Sequence, residues 1–126
     1  MKSKYKILDV GGALLDSYQL EIYLQKLAAD QILSSKSDKK TYPIPRVKDN
    51  LKFISDVYVI LSNDLKNKIP IHPAGEWILD NFYIIEETVK VIQKELSLKK
   101  YKNLIGISNE RYYGFARIYT LASTFI

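Results

Sequence analysis

Apolar residues recur along this chain at alternating steps of four and three, in blocks separated by breakers. Val47, Leu51, Ile54, Tyr58, Leu61 and Leu65 form one seam, and Ile78, Phe82, Ile85, Val89, Ile92 and Leu96 form another with the same order of steps. Such steps put side chains on one face of an α-helix. Pro45 suits the first turn of the earlier block, where the missing N–H has no intrahelical partner to lose. Asn67 and Lys68 close that block, and Pro70 forbids its continuation. Pro73 fits the first turn of the later block, with His72 at its entry as a turn or cap residue.

A block at 17–33 carries Leu20, Leu24 and Leu27, and Asp16 with Gln19 has the spacing of a capping box. The polar run SSKSDKK and the prolines of TYPIP end it. A last helix is predicted from Asn109 or Glu110, with Phe115, Tyr119, Ala122 and Ile126 on one face and Ile118, Leu121 and Phe125 beside it. Gly114 falls early in that helix, as a point of close approach or a bend. The intervening SLKKYKNLIGISNE reads as irregular or a single turn. The fold class is all-α: an up-down bundle of three to four helices with short connectors, forming a single helical domain over 1–126. In the third helix Trp77, Leu79, Tyr83 and Ile84 add apolar surface outside the seam. That predicts a helix buried on several sides, at the centre of the bundle.

Composition narrows the chemistry. The 126 residues are 47% hydrophobic, enough for a core. There is no Cys and one His, which removes thiolate metal sites and a Cys nucleophile and leaves little for a His-based triad. The net charge of +5 comes from 19 basic against 14 acidic residues. The lysines lie mostly in connectors (Lys36, Lys39 and Lys40; Lys66 and Lys68; Lys99, Lys100 and Lys102), as solvated loop residues do, so nucleic acid is not expected as a partner. No apolar run approaches the roughly 20 residues of a membrane span. Asp9, Gly11 and Gly12 break the early apolar patch, against a signal peptide, and Gly11-Gly12 alone makes no phosphate loop. The sequence stops on Phe125-Ile126 without a polar tail, which predicts a piece of a much larger multidomain protein.

Among the acids of the third helix, Glu76, Asp80, Glu86 and Glu87 raise the question of acid/base chemistry. That would require one raised pKa and a cleft. The other reading is structural: Glu86 with Lys90 is a favourable i,i+4 pair, and early acids with late lysines complement the helix dipole. Arg117 is a candidate partner for Glu76 or Asp80, as a bridge or as an anion anchor. Trp77 is either a core residue or a platform for a sugar ring. Tyr112 and Tyr113 are candidate contact residues. No catalytic, metal or cofactor-binding residue is assigned, and no cofactor is expected for this chain.

The segment PAGEWILDNFYIIEE, followed by QKELSLKKYKNL and YYGFARIYTLA, resembles the N-terminal region of the cyclic β-1,2-glucan synthases. PRVKDNLKFISDVYVILSNDLKNKIPI resembles the family's preceding helix. The likeness covers roughly 45–126 and, more loosely, 17–35. Glu76, Trp77, Asp80, Asn81, Gly114, Arg117 and Tyr119 fall on the family pattern. Gly75 departs from it, where a second Ala is usual, and so does Ala116, where Pro precedes the Arg. The resemblance implies a parent at the inner membrane, with this part cytoplasmic. That parent would join a UDP-glucose- and metal-dependent glycosyltransferase to a phosphorylase-like module. The matched region precedes the membrane spans, and no Asp-x-Asp motif is present here. The implied role is a non-catalytic packing or interaction domain whose partners are the rest of the synthase or a second copy. The alternative is a stand-alone small helical ligand-binding or adaptor protein.

Overall fold

A computed structural model describes residues 15–123; Asp9, Gly11, Gly12, Phe125 and Ile126 lie outside them. The order of elements is α1 (Ser17–Asp30), β1 (Leu33–Ser34), a 3-10 turn (Lys39–Thr41), α2 (Ile44–Lys66), α3 (Pro73–Glu95), α4 (Leu98–Lys102), β2 (Gly106–Ile107) and α5 (Arg117–Ser123). The protein is mainly α-helical, as the periodicity predicts. The chain forms two compact units. The segment Pro43–Ser97 makes one, and the segments on either side of it make the other.

The inserted unit is a helical hairpin. The seam of α2 faces the seam of α3: Tyr58 stacks on Phe82 with ring centroids 4.4 Å apart. Gly75, buried near the start of α3, lies against Leu61 and Ile71. A Cβ at Gly75 would come within 2.7 Å of Ile71 Cγ2 and 3.1 Å of Leu61 Cδ2, so the alanine usual in the resembling family would not fit here without repacking. The contacts 58–82 and 61–75 move in opposite directions along the two helices, so the helices are antiparallel. His72 caps α3 as its entry position predicts: Nδ1 accepts from the Ala74 N–H at 3.1 Å.

The unit made of 15–42 and 98–123 is built differently. α1 starts at the predicted capping box, with Asp16 Oδ1 accepting from the Gln19 N–H and Gln19 Oε1 from the Asp16 N–H. It stops at Asp30, three residues short of the predicted end, because Leu33 and Ser34 pair antiparallel with Ile107 and Gly106. The last helix begins at Arg117, not Asn109. Asn109 explains the difference: its side chain donates to the Asp30 carbonyl and accepts from the Ile32 N–H. An Asn that serves distant backbone groups competes with helix formation at its own position. Gly114 therefore precedes the helix and sits in a turn with φ +84°, where a Cβ would come within 2.7 Å of Asp38 Cβ. The close-approach reading of this glycine holds, in a turn and not in a helix.

The core of this unit centres on Tyr101, 1% exposed, with Phe115, Ile107 and Ala116 equally buried. The Tyr101 hydroxyl lies 2.7 Å from Thr41 Oγ1 and accepts from the Ala116 N–H at 3.2 Å. Thr41 Oγ1 is also within 2.7 Å of the Gly114 carbonyl. Burial is the largest influence on the phenol and raises its pKa above the ordinary 10.0. The folded state thus binds this proton more tightly than the unfolded chain does. The resulting stability is complete below the unfolded value and is lost as pH rises through the folded one.

Tyr101→Phe should cost about 2 kcal/mol, because it leaves the buried Ala116 N–H without an acceptor. Denaturant titrations from about pH 8 to about pH 11 should show stability falling at the alkaline end in the parent chain, and falling less in the variant. Equal alkaline slopes would show that the phenol is not held as described. Gly114→Ala should lower stability by about 1–2 kcal/mol through its positive φ, read as a lowered thermal midpoint.

Candidate functional site

The singled-out residues fall into two groups, one in each unit. Glu76, Trp77, Asp80 and Asn81 lie on the first half of α3. Position on a 3.6-residue helix decides their environment: Ile78, Phe82, Ile85 and Val89 take the face toward α2, so the residues between them point elsewhere. Glu76 and Asp80 are exposed carboxylates, and neither is in an ion pair among the described residues. Asn81 Nδ2 donates back to the Trp77 carbonyl at 2.8 Å, one turn earlier. The expected pair of Glu86 with Lys90 is present at 3.7 Å, and Glu87 joins it at 2.9 Å. The hydrogen bond that Lys90 donates to Glu87 and the charges of both acids raise the Lys90 pKa. This is surface charge complementarity on a helix, worth little energy.

Trp77 is 58% exposed, Tyr83 66% and Ile84 48%, which corrects the expectation of a helix buried on several sides. Within its own unit α3 has one partner helix, α2, and its remaining apolar side chains face outward. Apolar character all round a helix signals burial only when enough partner surface exists to supply it.

In the other unit, Arg117 has a partner within that unit. Its Nε donates to Gln31 Oε1 at 3.2 Å, Gln31 Nε2 donates to Thr120 Oγ1 at 3.2 Å, and Thr120 Oγ1 donates to the Arg117 carbonyl at 2.7 Å. Gln31 and Thr120 are buried, so this cycle satisfies polar groups that would otherwise be costly. It also ties α5 to the end of α1. Tyr119 stacks on Phe115 at 5.6 Å. Arg111 lies over the Tyr112 ring at 5.4 Å, and Tyr113 is 58% exposed. Of the apolar face predicted for the last helix, Phe115 is buried, and Phe125 and Ile126 lie outside the described residues.

Two surface features of this unit join residues distant in sequence. Leu104, Ile105, Ile118 and Leu121 line an open, mainly apolar groove with Asn103 and Arg117 at its edge. Ile118 is 65% exposed. In sequence Ile105 stands in a segment without periodicity, so nothing joined it to the α5 residues. The second feature is a cleft bounded by Lys36, Leu98, Lys99, Lys102 and Asn103, which gathers lysines from two distant connectors. Among the described residues there is no group of three or more His, Asp or Glu placed to hold a metal ion, and no helix is long and apolar enough to cross a membrane.

Trp77→Ala should change the stability of the chain by no more than about 0.5 kcal/mol, as exposed substitutions do. Phe82→Ala, which removes the ring stacked on Tyr58, should cost on the order of 2 kcal/mol or more. Chemical denaturation of both variants checks the assignment. A larger loss at Trp77 would place it in a core.

The chain matches no protein-family model and no solved structure. Over 63 residues, 50% of its length, it is 32% identical to a cyclic β-(1,2)-glucan synthase of Rhizobium meliloti. It spans 2% of the length of that relative. This similarity supports a relationship to such synthases over half of the chain.

Proposed function

We propose that this chain is a non-catalytic helical interaction domain of a cyclic β-1,2-glucan synthase-like glycosyltransferase, in the N-terminal region of the parent. The observation that carries the reading is the amount of apolar surface left uncovered on secondary structure that is otherwise well formed. Ile105, Ile118 and Leu121 meet in one groove, and Phe53, Val59, Ile60, Trp77 and Val91 are all more than half exposed on the hairpin. Contiguous exposed apolar area marks surfaces that bind other protein. The similarity to a synthase over half of the chain supports this class of parent. In this reading the singled-out side chains hold or present surface. The partners are the remaining domains of the synthase, at the groove beside α5, and a second copy of the chain.

The second reading, a small ligand-binding or adaptor protein, is favoured by one observation, the cleft that collects Lys36, Lys99 and Lys102. Such a cleft suits a small anion, since each ammonium supplies three donors and a full charge.

Purified chain should transfer no glucose from UDP-glucose. It should bind a cyclic β-1,2-glucan synthase from which the matching N-terminal region has been deleted. Ile118→Lys, a change at an exposed position, should weaken that binding at least tenfold while leaving the helical circular dichroism intact. Saturable binding of UDP-glucose or a β-1,2-glucan by the isolated chain, lost on Lys99→Glu with Lys102→Glu, would replace this proposal with the second reading.

A further inference from the structure

The lysine cleft lies within the unit made of 15–42 and 98–123, between the segment at 36 and α4. Tyr101 is the reason α4 presents lysines to it. With that ring buried, a turn of about 3.6 residues puts Leu98, Lys99 and Lys102 on one side of the short helix and Lys100 on the other. Leu98, Lys99 and Lys102 are the α4 residues that line the cleft. Lys36 comes from the earlier connector, on a backbone held by its neighbours. Its carbonyl accepts from Ser34 Oγ at 2.9 Å, Ser37 Oγ donates to the Leu104 carbonyl at 3.0 Å, and the Asp38 N–H donates to the Gly114 carbonyl at 2.7 Å.

Buried contacts thus bring three exposed lysines to one cleft, and like charges so gathered repel one another. No acid lines the cleft, and Lys36, Lys99 and Lys102 enter no ion pair among the described residues. Asp38, two residues from Lys36, is committed to its own turn, with Oδ1 accepting from the Lys40 N–H at 2.8 Å. Asn103 adds an amide that can donate. The basic excess of the chain lies in this unit too, since over 43–97 the acids slightly outnumber the lysines and arginines. Such a set of charges is complemented by an anion.

Size and charge select among anions. The cleft has a volume of about 350 Å³, at the small end of the range of about 300–1,000 Å³ for ligand pockets. It takes one small group and not a folded surface. Three cations around one group match a dianion better than the single charge of a carboxylate, and lysine meets phosphate as a point charge. Leu98, 42% exposed, offers an apolar wall to the carbon atoms of an ester.

We propose that the cleft formed by Lys36, Lys99, Lys102 and Asn103 binds a terminal phosphate group, carried by a soluble ester or by a lipid headgroup. The site rests on the second reading for its cleft alone, and a domain that works by contact can carry it as well.

Titration of the intact chain with inorganic phosphate, against sodium chloride at matched ionic strength, tests this. The expected result is a saturable shift of the backbone amide resonances of 36 and 99–103 and a raised thermal midpoint with phosphate, and neither with chloride. Lys99→Gln with Lys102→Gln, at exposed positions, should weaken phosphate binding by about tenfold or more with the circular dichroism unchanged. Lys66→Gln with Lys68→Gln removes the same charge from the hairpin and should leave the affinity as it was. Glycerol 3-phosphate in solution and vesicles of phosphatidylcholine with phosphatidic acid present the same terminal phosphate. Binding to both at similar affinity per phosphate, lost in the Lys99 and Lys102 variant, supports the site with a soluble ester as its source. Binding to the vesicles that is tighter by about tenfold or more, and lost in the same variant, supports it with a lipid source. Equal effects of phosphate and chloride, or equal losses in the two lysine pairs, overturn the site in favour of diffuse surface charge. It is also overturned if phosphate has no effect and Lys99→Gln with Lys102→Gln weakens binding to the truncated synthase, because the lysines then serve a protein partner. The interaction role is judged apart from this by Ile118→Lys, which should leave phosphate affinity unchanged.

Discussion

The Tyr101 hydroxyl sits where segments far apart in sequence must meet. Thr41 approaches it from 60 residues earlier, and Ala116 donates to it from 15 residues later. The groups around it are buried backbone and side-chain polar atoms that water does not reach, so each must find its partner within the protein. If the phenol is displaced, a buried amide loses its acceptor and Thr41 loses a neighbour. The turn that Gly114 makes against Asp38 then loses its anchor. Gln31, Arg117 and Thr120 do the equivalent work at the other end of the same unit. Few large side chains are fully buried here, and specific polar closure complements a modest apolar core.

That closure spans the inserted hairpin, and the hairpin's construction eases it. Loop-closure entropy rises with the logarithm of loop length, so a flexible insert of this size would add a cost of a few kcal/mol to joining Thr41 with Tyr101. A folded insert changes this. α2 and α3 are each 23 residues long and antiparallel, so the hairpin returns its exit to the end at which it began. The two seams, the Tyr58–Phe82 stack and Gly75 against Leu61 thus serve more than their own unit. They convert a long loop into a short effective one. A glycine at 75, where the resembling family has alanine, permits the close approach of the two helices next to their connecting turn.

Legibility in the sequence followed the length scale of each signal. The seams of α2 and α3 extend over five or six turns, and both helices lie within a residue or two of where periodicity places them. The Asp16–Gln19 box and the His72 entry are local chemistry and were equally readable. The two-residue strands were not, because a period cannot be seen in two residues and their pairing joins positions 33 and 107. Asn109 has the local pattern of a helix start, and its helix-stopping partners, Asp30 and Ile32, are distant in sequence. Of the site candidates, exposure could not be deduced. Trp77 stands in a run so apolar that burial was the natural inference, yet burial depends on how many partners surround a helix. The groove beside α5 and the lysine cleft were invisible for the same reason, since each joins segments that have no local relation.

The acids of α3 show how the same residues change meaning once their surroundings are known. In sequence, Glu76 and Asp80 among large apolar neighbours suggest either catalytic carboxylates or buried charges needing a bridge, because an unpaired charge in an apolar environment is expensive. On an exposed face that cost disappears, since water solvates both carboxylates. What remains is their order along the helix, acids before lysines. Within one chain that order favours the helix through its dipole. Their meaning is therefore set by exposure, which Trp77, Tyr83 and Ile84 on the same helix share.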